Sequence, residues 1–216
     1  MHRRLYLALT LVFLGGGLGC WSNRSTITVT PRSTKQAYAL RFNKAFVARE
    51  TDGNYHVVLI DDGVPDPPSS PSAVGEPLQP SSNPRPKQLV HIRIHWRPMR
   101  GTKPDHPSAT NSTIDWYVIG DTPESKNDYL QYRGAGFIVL HSSADLATID
   151  IRTASLDPAA RSGRMTDPLG SSSLTGTIHG RVSRARVNDA LDMVKSLHAQ
   201  PASPLPSPGE QARAKQ

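Results

Sequence analysis

Cysteine is almost absent from this chain: of 216 residues only Cys20 carries a thiol. No disulfide can form within one molecule, so the folded part must be held by a hydrophobic core alone, which a region of this size can supply. The short patterns that announce chemistry are missing too. There is no HExxH, no CxxC, no Walker loop and no G-x-S-x-G elbow, so no metal, cofactor or catalytic residue is assigned from a motif. No internal repeat is visible. Long apolar runs are also lacking. The longest, Leu5 to Leu14, ends in glycines and falls well short of the roughly 20 residues that cross a hydrocarbon core.

What stands at the N-terminus instead is a three-part leader. Arg3 and Arg4 form a positive region, Leu5 to Leu14 an apolar one, and Gly15 to Gly19 a stretch of small residues, the order found in secretory signals that are cleaved. The segment Gly17-Leu18-Gly19-Cys20 resembles the lipobox of bacterial lipoproteins, in which small residues precede a cysteine. Gly19 matches; Gly17 stands where the family places an aliphatic residue, and Leu18 falls one position later. The resemblance implies removal of residues 1–19, acylation of Cys20 and a chain tethered to a membrane outside the cytoplasm. An acyl anchor contributes about 0.8 kcal/mol per buried methylene, so several chains together hold firmly. Trp21 is not the aspartate that resembles an inner-membrane retention signal, which favours onward sorting. The same glycines also satisfy a small-x-small rule for ordinary signal cleavage, which leaves a secreted, unanchored protein as the alternative.

Charge is modestly basic. The net value is +7, from 25 Lys and Arg against 18 Asp and Glu, and loss of Arg3 and Arg4 leaves 23 against 18, or +5. Export takes nucleic acid out of consideration and leaves the membrane, anionic lipid head groups or anionic envelope polymers as partners.

Composition divides the rest. Residues 20–35 read as anchor and spacer, although Thr26 to Thr30 alternates like a strand. Residues 36–200 read as a single β-rich domain. Within it, residues 63–86 hold prolines at 65, 67, 68, 71, 77, 80, 84 and 86, a composition that excludes ladder pairing and points to a disordered insertion. Residues 201–216, with four prolines, read as a disordered tail.

Between these segments period-two alternation dominates. Tyr38 to Phe42, Phe46 to Glu50, Tyr55 to Ile60, Leu89 to Arg97, Thr113 to Ile119, Tyr129 to His141, Ala147 to Thr153 and Leu174 to Val182 read as strands. Asp52-Gly53 supplies a tight hairpin turn, and Gly134-Ala135-Gly136 a bulge or bend. One helix follows: Val187, Ala190, Leu191, Val194 and Leu197 form an apolar stripe, with Asn188 or a nearby serine as cap and Pro201 as terminator. The expected fold is mainly β, an antiparallel sandwich-like or bent sheet of about seven to eight strands with one C-terminal helix packed on it. A barrel is also compatible.

The most suggestive surface is the strand Leu89 to Arg97. Alternation puts Val90, Ile92, Ile94 and Trp96 on one side and His91, Arg93, His95 and Arg97 on the other, with Arg100 and Lys103 extending the row. Such a row suits phosphate or carboxylate groups; it equally suits the solvent side of a half-buried sheet. His91 and His95 do not share a metal on a strand, because four residues separate them by about 13 Å. Trp96, Trp116 and Tyr117 either line a slot or pack in the core, the latter being favoured for both tryptophans. His141-Ser142-Ser143-Ala144-Asp145 reads as a polar loop, and Asp61-Asp62-Gly63 and Asp167-Pro168-Leu169-Gly170 as turns. Asn23 and Asn111 begin glycosylation patterns foreign to a bacterial lipoprotein. A non-enzymatic binding or interaction module of the envelope is the leading expectation. A carrier, which needs a deep apolar pocket, and a hydrolase, which needs an acid, base and nucleophile from separate strands, are the alternatives.

Overall fold

A computed structural model describes residues 25–63, 86–99, 101–102, 109–120, 128–163 and 165–199. The leader, Cys20, the bulk of the proline-rich insertion, Arg100, Lys103 and the C-terminal tail lie outside them.

Nine strands and one helix follow in order: β1 (Ser25–Pro31), β2 (Tyr38–Phe42), β3 (Lys44–Arg49), β4 (Tyr55–Asp61), β5 (Lys87–Ile94), β6 (Ser112–Ile119), β7 (Tyr129–Ser142), β8 (Leu146–Arg161), β9 (Ser172–Val182) and α1 (Arg184–His198). The protein is mainly β with one C-terminal helix. The strands run β2-β1-β9-β3-β4-β5-β6-β7-β8, and β8 pairs back onto β9. The ring β9-β3-β4-β5-β6-β7-β8 therefore closes, and β1 and β2 extend from the lower part of β9. The sandwich-like arrangement expected from sequence gives way to a barrel, because one continuous twisted sheet meets its own edge instead of splitting into two layers.

Closure depends on two long strands. β7 and β8 stay paired from Leu130↔Arg161 to Ser142↔Ala147, with register shifts at Gln131/Tyr132 and Phe137/Ile138. Those irregularities flank Gly134-Ala135-Gly136, where the expected bend falls. A Cβ at Gly134 would lie 1.7 Å from the Ser155 carbonyl oxygen, so β7 and β8 approach as closely as they do only because that side chain is missing. The β3–β4 hairpin forms at Asp52-Gly53 as expected; Gly53 has φ +90°, and Asp52 Oδ1 accepts the Asn54 N–H at 2.9 Å.

Alternation sorts side chains between the two sides of the wall. Val57, Leu59, Val90, Ile92, Ile114, Trp116, Leu130, Tyr132, Ile149 and Ile178 belong to one buried cluster that fills the barrel. Trp116 and Tyr132 stack there with ring centres 5.0 Å apart. Outside, Ala48, Val58, Leu89, Tyr117, Ile119 and Tyr129 form a second cluster with Val187, Ala190 and Leu197 of α1. The apolar stripe of the helix thus lies against the outer wall. Ser183 caps its start, accepting from the Arg186 N–H. An isolated helix of this length is marginal in water; burying Val187 and Leu197 supplies about 1.5–3 kcal/mol each.

Two further expectations change. Residues 25–31 of the segment read as spacer are a strand, with Ile27 and Val29 fully buried, so the alternation of Thr26 to Thr30 is the better guide. Trp96 is not core; it is 39% exposed. The reason is Asn111, itself buried. Its Nδ2 donates to the carbonyls of Trp96 at 2.9 Å and Ile138 at 2.8 Å, and its Oδ1 accepts the Ile138 N–H at 2.9 Å. This bracket ends β5 at Ile94 and turns the chain outward. No helix among the described residues is long and apolar enough to cross a membrane.

Candidate functional site

The row of side chains on β5 divides when its neighbours are in place. His91 and Arg93 share the outer wall, whereas His95 and Arg97 follow the end of the strand and each finds its own contact. Arg97 lies over the Tyr55 ring at 4.6 Å and donates to Ser142 Oγ at 2.8 Å. His95 Nε2 is 3.5 Å from Thr113 Oγ1. Arg93 faces Asp52 at 3.5 Å.

His91 is drawn into a polar belt that crosses the outer wall from β4 to β7. The register Val58↔His91 and His56↔Arg93 places His56 diagonally beside His91, and His56 Nδ1 meets His91 Nε2 at 2.9 Å. The ring centres are 5.0 Å apart and the planes 20° apart, as two near-coplanar imidazoles joined edge to edge require. Such a bond needs one donor and one acceptor, so the ring that accepts carries no proton on that nitrogen. Burial pushes the His91 pKa from 6.5 down to about 4, with His56 adding to the effect and Asp115 opposing it. Burial also lowers His56, against the pull of Glu50, whose Oε1 stands 3.0 Å from His56 Nε2.

The belt continues beyond His91. Asp115, directly across from it on β6, accepts from Arg133 Nε and from Gln131 Nε2, both at 2.8 Å. Gln131 Nε2 also reaches the Tyr117 hydroxyl at 3.1 Å, and that hydroxyl meets His198 Nε2 at 2.8 Å. Burial and the Asp115 charge raise the Tyr117 pKa, so the phenol stays protonated and the helix end is pinned to the wall by a hydrogen bond. Chemically the belt turns its acids and bases toward one another. His56, Glu50, Asp115, Gln131 and His198 were not singled out from sequence. Only the cross-strand register brings them together, and no local pattern carries it.

A different arrangement occupies the seam where β9 changes partners. β1 pairs with β9 up to Thr26↔Thr177, and β3 takes the same edge at Phe46↔Arg181. Ser25 bridges the interval: its Oγ accepts the His179 N–H at 3.2 Å and donates to the His179 carbonyl at 3.3 Å. Alternation then turns Lys44, Thr148, His179 and Arg181 outward, and with Phe46 and Leu146 they line a groove of about 500 Å³. Lys44 is paired with Asp62. Arg181 has no ion pair among the described residues.

The remaining sequence candidates have structural work. Ser143 closes the β7–β8 hairpin through Leu146. Asp61 Oδ1 accepts the Gly63 N–H at 3.1 Å. Asp167 accepts from Leu169, Gly170 and the Tyr132 hydroxyl, so this turn also reaches the end of an interior side chain. Asn111 is buried and spent on the bracket. Among the described residues no three His, Cys, Asp or Glu side chains gather as a metal set. Comparison with protein families, with curated proteins and with solved structures returns no match for this chain.

Proposed function

We propose that the chain is an exported, lipid-anchored protein of the cell envelope whose barrel acts as a non-enzymatic binding module. The observation that carries this reading is the short interval between Cys20 and the first strand. Cys20 precedes Ser25 by five positions, so an anchor there would hold the barrel wall within about 18 Å of the membrane.

The packing supports a binding surface over the two alternatives. A carrier needs a deep apolar-walled pocket, and the interior of this barrel is occupied by Trp116, Tyr132 and the aliphatic side chains around them. A hydrolase needs a nucleophile beside a base that is itself oriented by an acid. The threonine hydroxyls beside imidazoles, Thr113 at 3.5 Å from His95 and Thr148 at 3.4 Å from His179, have no acid behind the ring among the described residues.

The anchor is tested by growing the producing cell with a labelled fatty acid. Wild type should incorporate label and partition with the membrane; Cys20→Ser should lose both. An unlabelled wild-type chain, or one with residues 1–19 still attached, would remove the reading.

A further inference from the structure

The geometry points to the seam groove as a docking site for anionic phospholipid head groups of the bilayer that holds the chain. This rests on the reading of Cys20 as an anchor, and it assigns to specific residues the surface that meets the membrane.

Position is the first argument. Ser25 is where the chain enters the barrel, and it is bonded directly to His179, in the wall of the groove. A tether of five residues from Cys20 reaches at most about 18 Å, so the wall beside Ser25 is the part of the barrel that the anchor keeps nearest to the lipid.

Charge is the second. Lys44, His179 and Arg181 line the groove. Arg186, at the start of α1, lines an adjoining groove of about 270 Å³ that shares Lys44 and Phe46 with the first. The acids close by are Asp62, held by Lys44, and Asp189, 3.8 Å from Arg186, with Asp145 in the neighbouring hairpin. Arg181 has no ion pair among the described residues, which leaves its charge available at the surface.

The third argument selects a bilayer over a dissolved polyanion. Around the same cations stand exposed apolar side chains: Leu146 at 55% in the first groove and Met193 at 46% in the second. A soluble polymer uses cations and gains nothing from the apolar rim. A membrane interface uses both, cations against the phosphates and apolar groups at the boundary of the acyl region.

The test uses the full chain carrying Cys20→Ser, so that no anchor contributes. It should sediment with vesicles of phosphatidylcholine containing phosphatidylglycerol and not with phosphatidylcholine alone. Each basic residue at an anionic surface is worth about fivefold in affinity, so Lys44→Glu with Arg181→Glu should weaken binding by more than about tenfold, while Arg133→Glu on the belt leaves it unchanged. Circular dichroism checks that each variant is folded. Leu146→Ser with Met193→Ser, both exposed positions, should weaken vesicle binding but leave binding to soluble polyphosphate as it was. Vesicle binding insensitive to the paired charge reversal overturns the site; vesicle binding insensitive to the paired serine change overturns the bilayer as its occupant. The anchor is judged separately by fatty-acid labelling: an unacylated Cys20 with intact vesicle binding removes the tether and keeps the head-group site, whereas an acylated Cys20 with no vesicle binding does the reverse.

Discussion

Two faces of the barrel carry cations, and they differ in what stands opposite each one. On the belt, Arg93 faces Asp52, Arg133 faces Asp115, and burial beside His56 lowers the pKa of His91. On the seam, Lys44 and Arg181 come from β3 and β9, which meet where β1 stops, and Arg181 has no acidic partner among the described residues. The first face is conspicuous in the chain because His91 and Arg93 open a row of basic residues at alternate positions; the second is invisible there because its residues are far apart. A run of like charge therefore reports one strand of a sheet, and the neighbouring strands decide whether that charge is available. The belt cations are matched by acids; at the change of pairing Lys44 has Asp62, and Arg181 is the cation without an acid among the described residues.

The sharpest way to break this contrast is at Asn111, which determines where the belt strand ends and so removes His95 and Arg97 from the row. Asn111→Ala would leave the carbonyls of Trp96 and Ile138 and the Ile138 N–H without their partner. Each buried unsatisfied group costs about 1–3 kcal/mol, so a loss of about 3 kcal/mol or more in unfolding free energy is expected in urea titrations. A loss below about 1 kcal/mol would mean that β5 ends at Ile94 for some other reason.

Acid should separate the faces next. The His91 pKa is lowered in the folded protein, from 6.5 to about 4, so above pH 6.5 the ring is neutral in both folded and unfolded chains and the shift has no effect on stability. As pH falls from 6.5 toward 4 the unfolded chain takes up protons that the folded one refuses, and stability declines. At about 1.4 kcal/mol per unit, and with partial solvent access reducing the sum, the decline is about 2–3 kcal/mol. His91→Gln should flatten that part of the stability profile. An equally steep profile in the variant would place the acid sensitivity elsewhere.

How much of this was legible in the chain follows from the range of the interactions. The Asp52-Gly53 hairpin, the strands and the helix stripe from Val187 to Leu197 rest on turn chemistry and periodicity within a few residues, and they could be read. Closure could not, because β8↔β9 and β3↔β9 join segments with no local mark of their pairing; the Ser25–His179 bond alone spans 154 positions. Trp96 was misplaced because alternation runs on past Ile94 in the sequence, whereas Asn111, on another segment, stops the strand. His91 was correctly placed on the outer side of β5. Its chemistry was not, since its lowered pKa comes from burial under the neighbouring strands and from His56, which sits in a largely apolar run and gives no sign of facing another imidazole. The seam residues were missed for the same reason as closure.

The smallest effects are the most selective. Arg93 is 41% exposed, its partner Asp52 47%, and their contact is 3.5 Å, the kind of surface pair worth about 0.2–1 kcal/mol. Arg93→Ala should therefore lower unfolding free energy by less than about 1 kcal/mol and leave vesicle sedimentation alone. Arg181→Ala has no ion pair to lose among the described residues, so its stability should stay within about 0.5 kcal/mol of wild type, yet its affinity for anionic vesicles should fall about fivefold. The two variants remove the same charge from the same barrel wall, and net charge alone would make them equivalent in both assays. If they weaken vesicle binding equally, the bilayer is responding to overall charge, and the difference between a matched and an unmatched cation has no functional weight.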